Sequence, residues 1–126
     1  MITQYTIDNL PPMMPIPIIK GSSLDLPGYI EEGDDPGPFE RVDITGSSFD
    51  MVIKQKRGGT TVLELSSDDD EILITDAQSG EFKVIITSAQ SGALPSDCAL
   101  TYYLDWTDAD GNVTTIMRGE MQIVAK

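Results

Sequence analysis

Leu100-Thr101-Tyr102-Tyr103-Leu104-Asp105-Trp106-Thr107 is the stretch that decides the fold. Leu100, Tyr102, Leu104 and Trp106 alternate with Thr101, Tyr103 and Asp105. A period of two sends successive side chains to opposite faces of a strand, so one face is apolar and the other polar. Asp108-Ala109-Asp110-Gly111-Asn112 then reads as a tight turn. Val113 to Met117, Gly119 and Met121 to Val124 follow as one long last strand, or as two broken near Gly119. Upstream the pattern repeats. Phe49, Met51 and Ile53 alternate with Asp50 and Lys54, and Arg57-Gly58-Gly59 is a hairpin signal. Leu63 and Leu65 oppose Glu64, Ile72 and Ile74 share a face, and Phe82, Val84 and Ile86 alternate with Glu81 and Lys83. Turn signals recur every ~8–12 residues, the spacing of an antiparallel sandwich or barrel. Ser88 to Pro95 interrupts the strands with a short helical turn, capped by Ser88 and ended before Pro95. The expected fold class is all-β: an antiparallel immunoglobulin-like β-sandwich with an extended Pro-rich N-terminal segment and one short helical turn. The Cys…Trp…Cys spacing of antibody domains is absent.

Residues 1 to about 40 are rich in Pro and Gly and lack clean periodicity. Ile7, Leu10, Met13, Met14, Ile16, Ile18 and Ile19 are too apolar for a solvated tail, while Pro11, Pro12, Pro15 and Pro17 exclude a helix and a central strand. An extended edge segment fits both facts, lying on its own domain or crossing to a neighbouring subunit. The expected organisation is an apolar arm over residues 1–15 and a sandwich domain over 16–126. An acidic, breaker-rich mobile loop is expected near 31–38.

Composition removes several function classes. The 126 residues form one domain, long enough to bury about two-thirds of the chain's surface. The formal net charge is -13, with 21 acidic against 8 basic residues, which disfavours nucleic acid and anionic membrane surfaces. There is no His, hence none of the commonest general base or metal ligand. One Cys permits neither an internal disulfide nor a thiolate zinc site. Cys98, beside Ala99 and Leu100, is expected to be a small buried hydrophobe. No secretory signal pattern and no run of ~18 apolar residues is present, so the expected setting is a reducing cytoplasm, with the protein either kept there or released by cell lysis. No enzyme and no cofactor is expected.

Few residues invite chemistry. Asp108 and Asp110 begin a calcium-loop pattern, but no bidentate Glu follows, so the turn reading prevails over a metal site. Asp68-Asp69-Asp70-Glu71 reads as a solvated hairpin end; the alternatives are a block screened by a cation or a surface that meets a basic patch on a partner. Trp106 alternates with core residues and belongs to the core or rim. Tyr5 and Tyr103 are the aromatic candidates for exposed contacts, and Ile7, Leu10, Met13 and Met14 the apolar ones.

The order of segments also carries a resemblance. Lys20-Gly21-Ser22-Ser23-Leu24 is followed by Val42-Asp43-Ile44-Thr45-Gly46 and by the strand Phe49 to Lys54. Then come Val62 to Ser66, Ile72 to Ile74, Gly80 to Ile86, and the run Tyr102 to Thr115 closed by Gly119. Over residues 16–125 this set resembles the small β-sandwich modules of tailed phages and prophages, and most nearly the N-terminal domain of phage baseplate upper proteins. Gly21-Ser22-Ser23 departs from the family's "GDT", and residues 31–38 are an insert in its pattern. The resemblance implies a non-catalytic virion structural or assembly module, of tail or baseplate type, that is cytoplasmic until assembled. Its expected partners are other phage structural proteins or copies of itself, a homo-oligomer included. The alternative is a carbohydrate-binding or adhesive module, perforce using Tyr5, Tyr29, Phe39, Tyr103 and Trp106, with calcium in one version.

Overall fold

A computed structural model describes residues 3–5, 15–32 and 40–124. The strands are β1 (Thr3–Tyr5), β2 (Ile16–Ile19), β3 (Leu24–Glu32), β4 (Glu40–Arg41), β5 (Ser48–Gln55), β6 (Thr61–Ser66), β7 (Ile72–Asp76), β8 (Glu81–Ile86), β9 (Leu100–Thr107) and β10 (Val113–Val124). A 3-10 turn, Ser67–Asp69, follows β6, and a short helix α1, Ser88–Ala93, follows β8. One sheet runs β1-β3-β8-β7, with β4 also on β3; the other runs β2-β10-β9-β5-β6. The chain changes sheet between β1 and β2, between β2 and β3, between β4 and β5, between β6 and β7, and again through α1 between β8 and β9. This distribution makes the fold an all-β immunoglobulin-like sandwich. The ladders are antiparallel except where the N-terminal strands join, β1 parallel to β3 and β2 parallel to β10.

Alternation builds the core from both sheets. Strand β9 buries Leu100, Tyr102, Leu104 and Trp106, β5 buries Phe49, Met51 and Ile53, and β8 buries Phe82, Val84 and Ile86. Phe49 stacks on Phe82 across the sheets, ring centroids 4.6 Å apart. The Trp106 indole N–H donates to Ser47 Oγ at 3.0 Å, so its polar atom is satisfied on burial. One void between the layers is about 10 Å³, with an apolar lining that includes Met51, Phe82 and Leu104. That is barely one water's room, so this void has no space for a ligand.

Several elements differ from the sequence expectations. Strand β3 lies within the region that lacked periodicity. Leu26 and Ile30 point inward, but Pro27 and Gly28 break the pattern between them. Gly28 is required there, because a Cβ would sit 2.8 Å from the Phe82 ring. Gly80, at φ +69, is likewise required, since a Cβ would lie 2.6 Å from the Val42 carbonyl oxygen. Strand β2 carries Pro17 on a sheet edge and buries Ile16 and Ile18 in its own domain. Strand β10 is continuous through Gly119; its irregularity lies between Thr115 and Met117, and it turns both Ile116 and Met117 inward. The cap of α1 is Thr87, not Ser88: Thr87 Oγ1 accepts from the Gln90 N–H while Gln90 Oε1 accepts from the Thr87 N–H. Within α1 the buried Ser91 hydroxyl accepts from the Gly21 N–H at 3.1 Å and donates to the Ser22 carbonyl at 2.7 Å. It pins the helix to the β2–β3 turn.

Cys98 is a correction. It is exposed, because β9 begins only at Leu100 and residues 96–98 bend across the end of the sandwich without an inward register. The acidic block 68–71 is another. It is no hairpin end, since β6 and β7 lie in different sheets and the block carries the chain between them. Asp70 takes the left-handed conformation at φ 59. Glu71 is an anchor: its carboxylate accepts from the Ser66 N–H and from Gln90 Nε2.

Candidate interaction face

The inward residues of β9, β5 and β10 are consumed by the core, so their alternates form the outer face of the five-stranded sheet. Register arranges these side chains in rows. Thr115, Asp105, Asp50 and Ser66 make the first, on β10, β9, β5 and β6 in that order. Arg118, Tyr103, Val52 and Glu64 make the second. Glu120, Thr101, Lys54 and Thr61 make the third.

Side-chain contacts follow these rows. Lys54 Nζ lies 5.2 Å from the Tyr103 ring centroid, a diagonal cation–π contact between β5 and β9. Lys56 Nζ donates to Glu120 Oε1 at 2.8 Å, reaching across β9. That bond raises the Lys56 pKa and lowers the Glu120 pKa, each through its hydrogen bond to the other. Thr115 Oγ1 donates to Asp105 Oδ1 at 2.6 Å. Asp105 stands directly opposite Asp50, so two carboxylates share one cross-strand position, an arrangement that stabilises no isolated sheet. Two open depressions mark the face. One, of about 310 Å³, is lined by Lys54, Lys56, Tyr103, Arg118 and Glu120. The other, of about 350 Å³, is lined by Asp50, Val52, Glu64 and Asp69. Three of the chain's eight basic residues therefore border one depression, and carboxylates border the other.

The other residues singled out from sequence fall elsewhere. Asp108 Oδ1 accepts from the Asp110 and Asn112 N–H groups, both at 2.9 Å, and these bonds hold its carboxyl below the usual carboxylate range. The carboxylate thus organises its own hairpin turn; Asp110 is exposed beside it. Among the described residues no three His, Cys, Asp or Glu side chains are grouped to hold a metal. Asp43 organises the turn before β5 in the same way, with Oδ1 accepting from Thr45 N–H and Oγ1. Trp106 is buried, and the Tyr29 ring is covered by the Arg41 guanidinium at 3.9 Å. Neither is a bare platform for a sugar. Tyr5 has backbone in β1 opposite Ile30. Ile7, Leu10, Met13, Met14, Phe39 and the loop 33–39 lie outside the described residues. Tyr103 alone among the sequence-derived contact residues is placed on the outer face. Lys54, Arg118, Glu64 and Asp50 were missed as a group, although each occupies an outward position of an alternating strand.

No family model and no curated protein matches the sequence. Among solved structures, murine CRIg is similar at 10% identity and a TM-score of 0.41, over 87% of this chain and 92% of that chain. The Ig1 domain of mouse SynCAM 2 is similar at 10% identity and a TM-score of 0.41, over 92% of this chain and 96% of that chain. The sandwich itself rests on the strand ladders above. Among the described residues no helix is long and apolar enough to cross a membrane.

Proposed function

We propose that the chain is a non-catalytic interaction module of a phage-type virion, of tail or baseplate kind, working through protein–protein contact. The observation that carries the contact reading is the outer face of the β2-β10-β9-β5-β6 sheet. It presents Tyr103 amid closely set charges of both signs on a rigid ladder, the mix of aromatic centre and charged surround by which protein surfaces select partners. The virion assignment is supported by the ordered segments from Lys20 to Gly119 that resemble phage sandwich modules. A catalytic role has little to build on, with no His and with only about 10 Å³ in the void between the layers. A sugar-binding role loses Trp106 to the core and Tyr29 to Arg41.

Particles induced from a lysogen that carries the gene test this reading. The chain should co-purify with tail proteins through a density gradient at fixed stoichiometry. Intact, infectious particles that lack it would overturn the virion assignment.

A further inference from the structure

We infer that the outer face docks on the same face of a second copy, the two sheets crossing at about a right angle, one of the two preferred packings of sheet on sheet. This rests on the reading of that face as a protein-contact surface. The positions of its charges select both the partner and the crossing angle.

Take the midpoint between Tyr103 and Val52, neighbours in the central row. Arg118 on β10 and Glu64 on β6 lie in that row on either side, each about 7 Å away at a strand spacing of ~4.8 Å. The Asp50/Asp105 pair lies one row off along the strands, and Lys54 one row off in the other direction, again about 7 Å at ~3.4 Å per residue. Because these distances match, a two-fold axis lying in the face, diagonal to the strands from Thr115 towards Thr61, exchanges the two directions. Arg118 then meets the Asp50/Asp105 pair of the second copy, and Lys54 meets its Glu64. The reciprocal contacts form by symmetry, as an isologous interface demands. The opposed carboxylates of Asp50 and Asp105, unfavourable within one copy, gain a guanidinium in the pair. Glu120 is already neutralised by Lys56 and falls opposite Ser66. The other diagonal would set Arg118 against Lys54, so the charges choose one orientation.

The face spans roughly 24 Å by 27 Å, about 650 Å² in projection, for five strands that run from four to twelve residues and average about eight. That approaches the ~800 Å² per partner of a standard interface. Each copy carries a net charge of -13, which opposes association over the whole surface. A micromolar dimer is expected.

Sedimentation velocity from about 1 µM to about 500 µM, spanning the expected affinity, reads the dimer directly. Lys54→Glu alone and Glu64→Lys alone each set like charges against each other twice, and each should weaken the dimer at least about tenfold. Mixed in equal amounts they restore both contacts, and a heterodimer within roughly threefold of the wild-type affinity should form. Damage confined to the fold of one variant is not repaired by mixing. Arg118→Glu mixed with Asp50→Arg repeats the test through the other contact. A wild-type chain that stays monomeric, a dimer insensitive to all four substitutions, or mixtures that stay monomeric would each overturn the self-docking. Incorporation of a strictly monomeric chain into particles would refute the self-docking and leave the interaction module standing.

Discussion

Phe49 and Phe82 stack across the two sheets at a 4.6 Å centroid distance, and the same Phe82 ring occupies the space where Gly28 has no side chain. One aromatic thus ties together β5, β8 and β3. Phe49→Ala should cost about 3–5 kcal/mol by removing the ring and leaving a cavity. Gly28→Ala should also destabilise, by overpacking against Phe82. Urea denaturation checks both, and a Gly28→Ala midpoint at or above wild type would show that the ring yields freely.

Ser91 is the buried polar residue of the core layer among the described residues, and its hydroxyl serves Gly21 and Ser22 at once. Ser91→Ala leaves a donor and an acceptor without their partner, at about 1–3 kcal/mol. Hydrogen exchange at the Gly21 amide should quicken in the variant beyond the change at β9 amides. Equal changes everywhere would mean that α1 is not pinned locally.

Acid should weaken the protein partly through Asp108 and Asp43. Both carboxyls are held below their ordinary value of 3.8, Asp108 first by the Asn112 N–H and Asp43 first by the Thr45 hydroxyl. A depressed folded pKa means that the unfolded chain takes up the proton first, so stability rises with pH. The contribution is complete above the unfolded value and is lost as pH falls through the folded one. Asp108→Asn should therefore lose less stability than wild type between pH 5 and about pH 2. Parallel pH curves for the two proteins would count against this account.

Cys98 is exposed in the bend before β9. A maleimide should modify it fully in the folded protein, at a rate close to that in urea, without lowering Tm. Protection until unfolding would contradict the placement.

Strands β5, β8 and β9 were legible because nothing interrupts their period of two, from Phe49, Phe82 and Leu100 onward. Strand β3 was not, because Pro27 and Gly28 replace the very residues that would have marked it; Gly28 answers to Phe82, a partner far along the chain. The extra inward residue in β10 is equally hard to read, since the adjacent pair Ile116 and Met117 does not say which of the two faces inward until β9 is laid beside them. The face shows the same limit. Tyr103 could be assigned outward from its own strand. That Arg118, Lys54 and Glu64 surround it depends on strand order and register, which one strand's pattern does not contain. An outward charge taken singly looks like any solvated residue.

Strand β2 lies beside β10, with Ile16 opposite Met121. In a chain made from its N-terminus, Ile16 and Ile18 therefore leave the ribosome roughly 100 residues before their neighbour exists. At ~5–20 residues per second that is a wait of about 5–20 s. During translation the sandwich is a box without its last wall, and two isoleucines that end at 1% and 2% exposure stand in water until the final strand arrives. The vulnerable interval in this protein's life is its synthesis, and slowing the ribosome over residues 20–110 should lower its soluble yield.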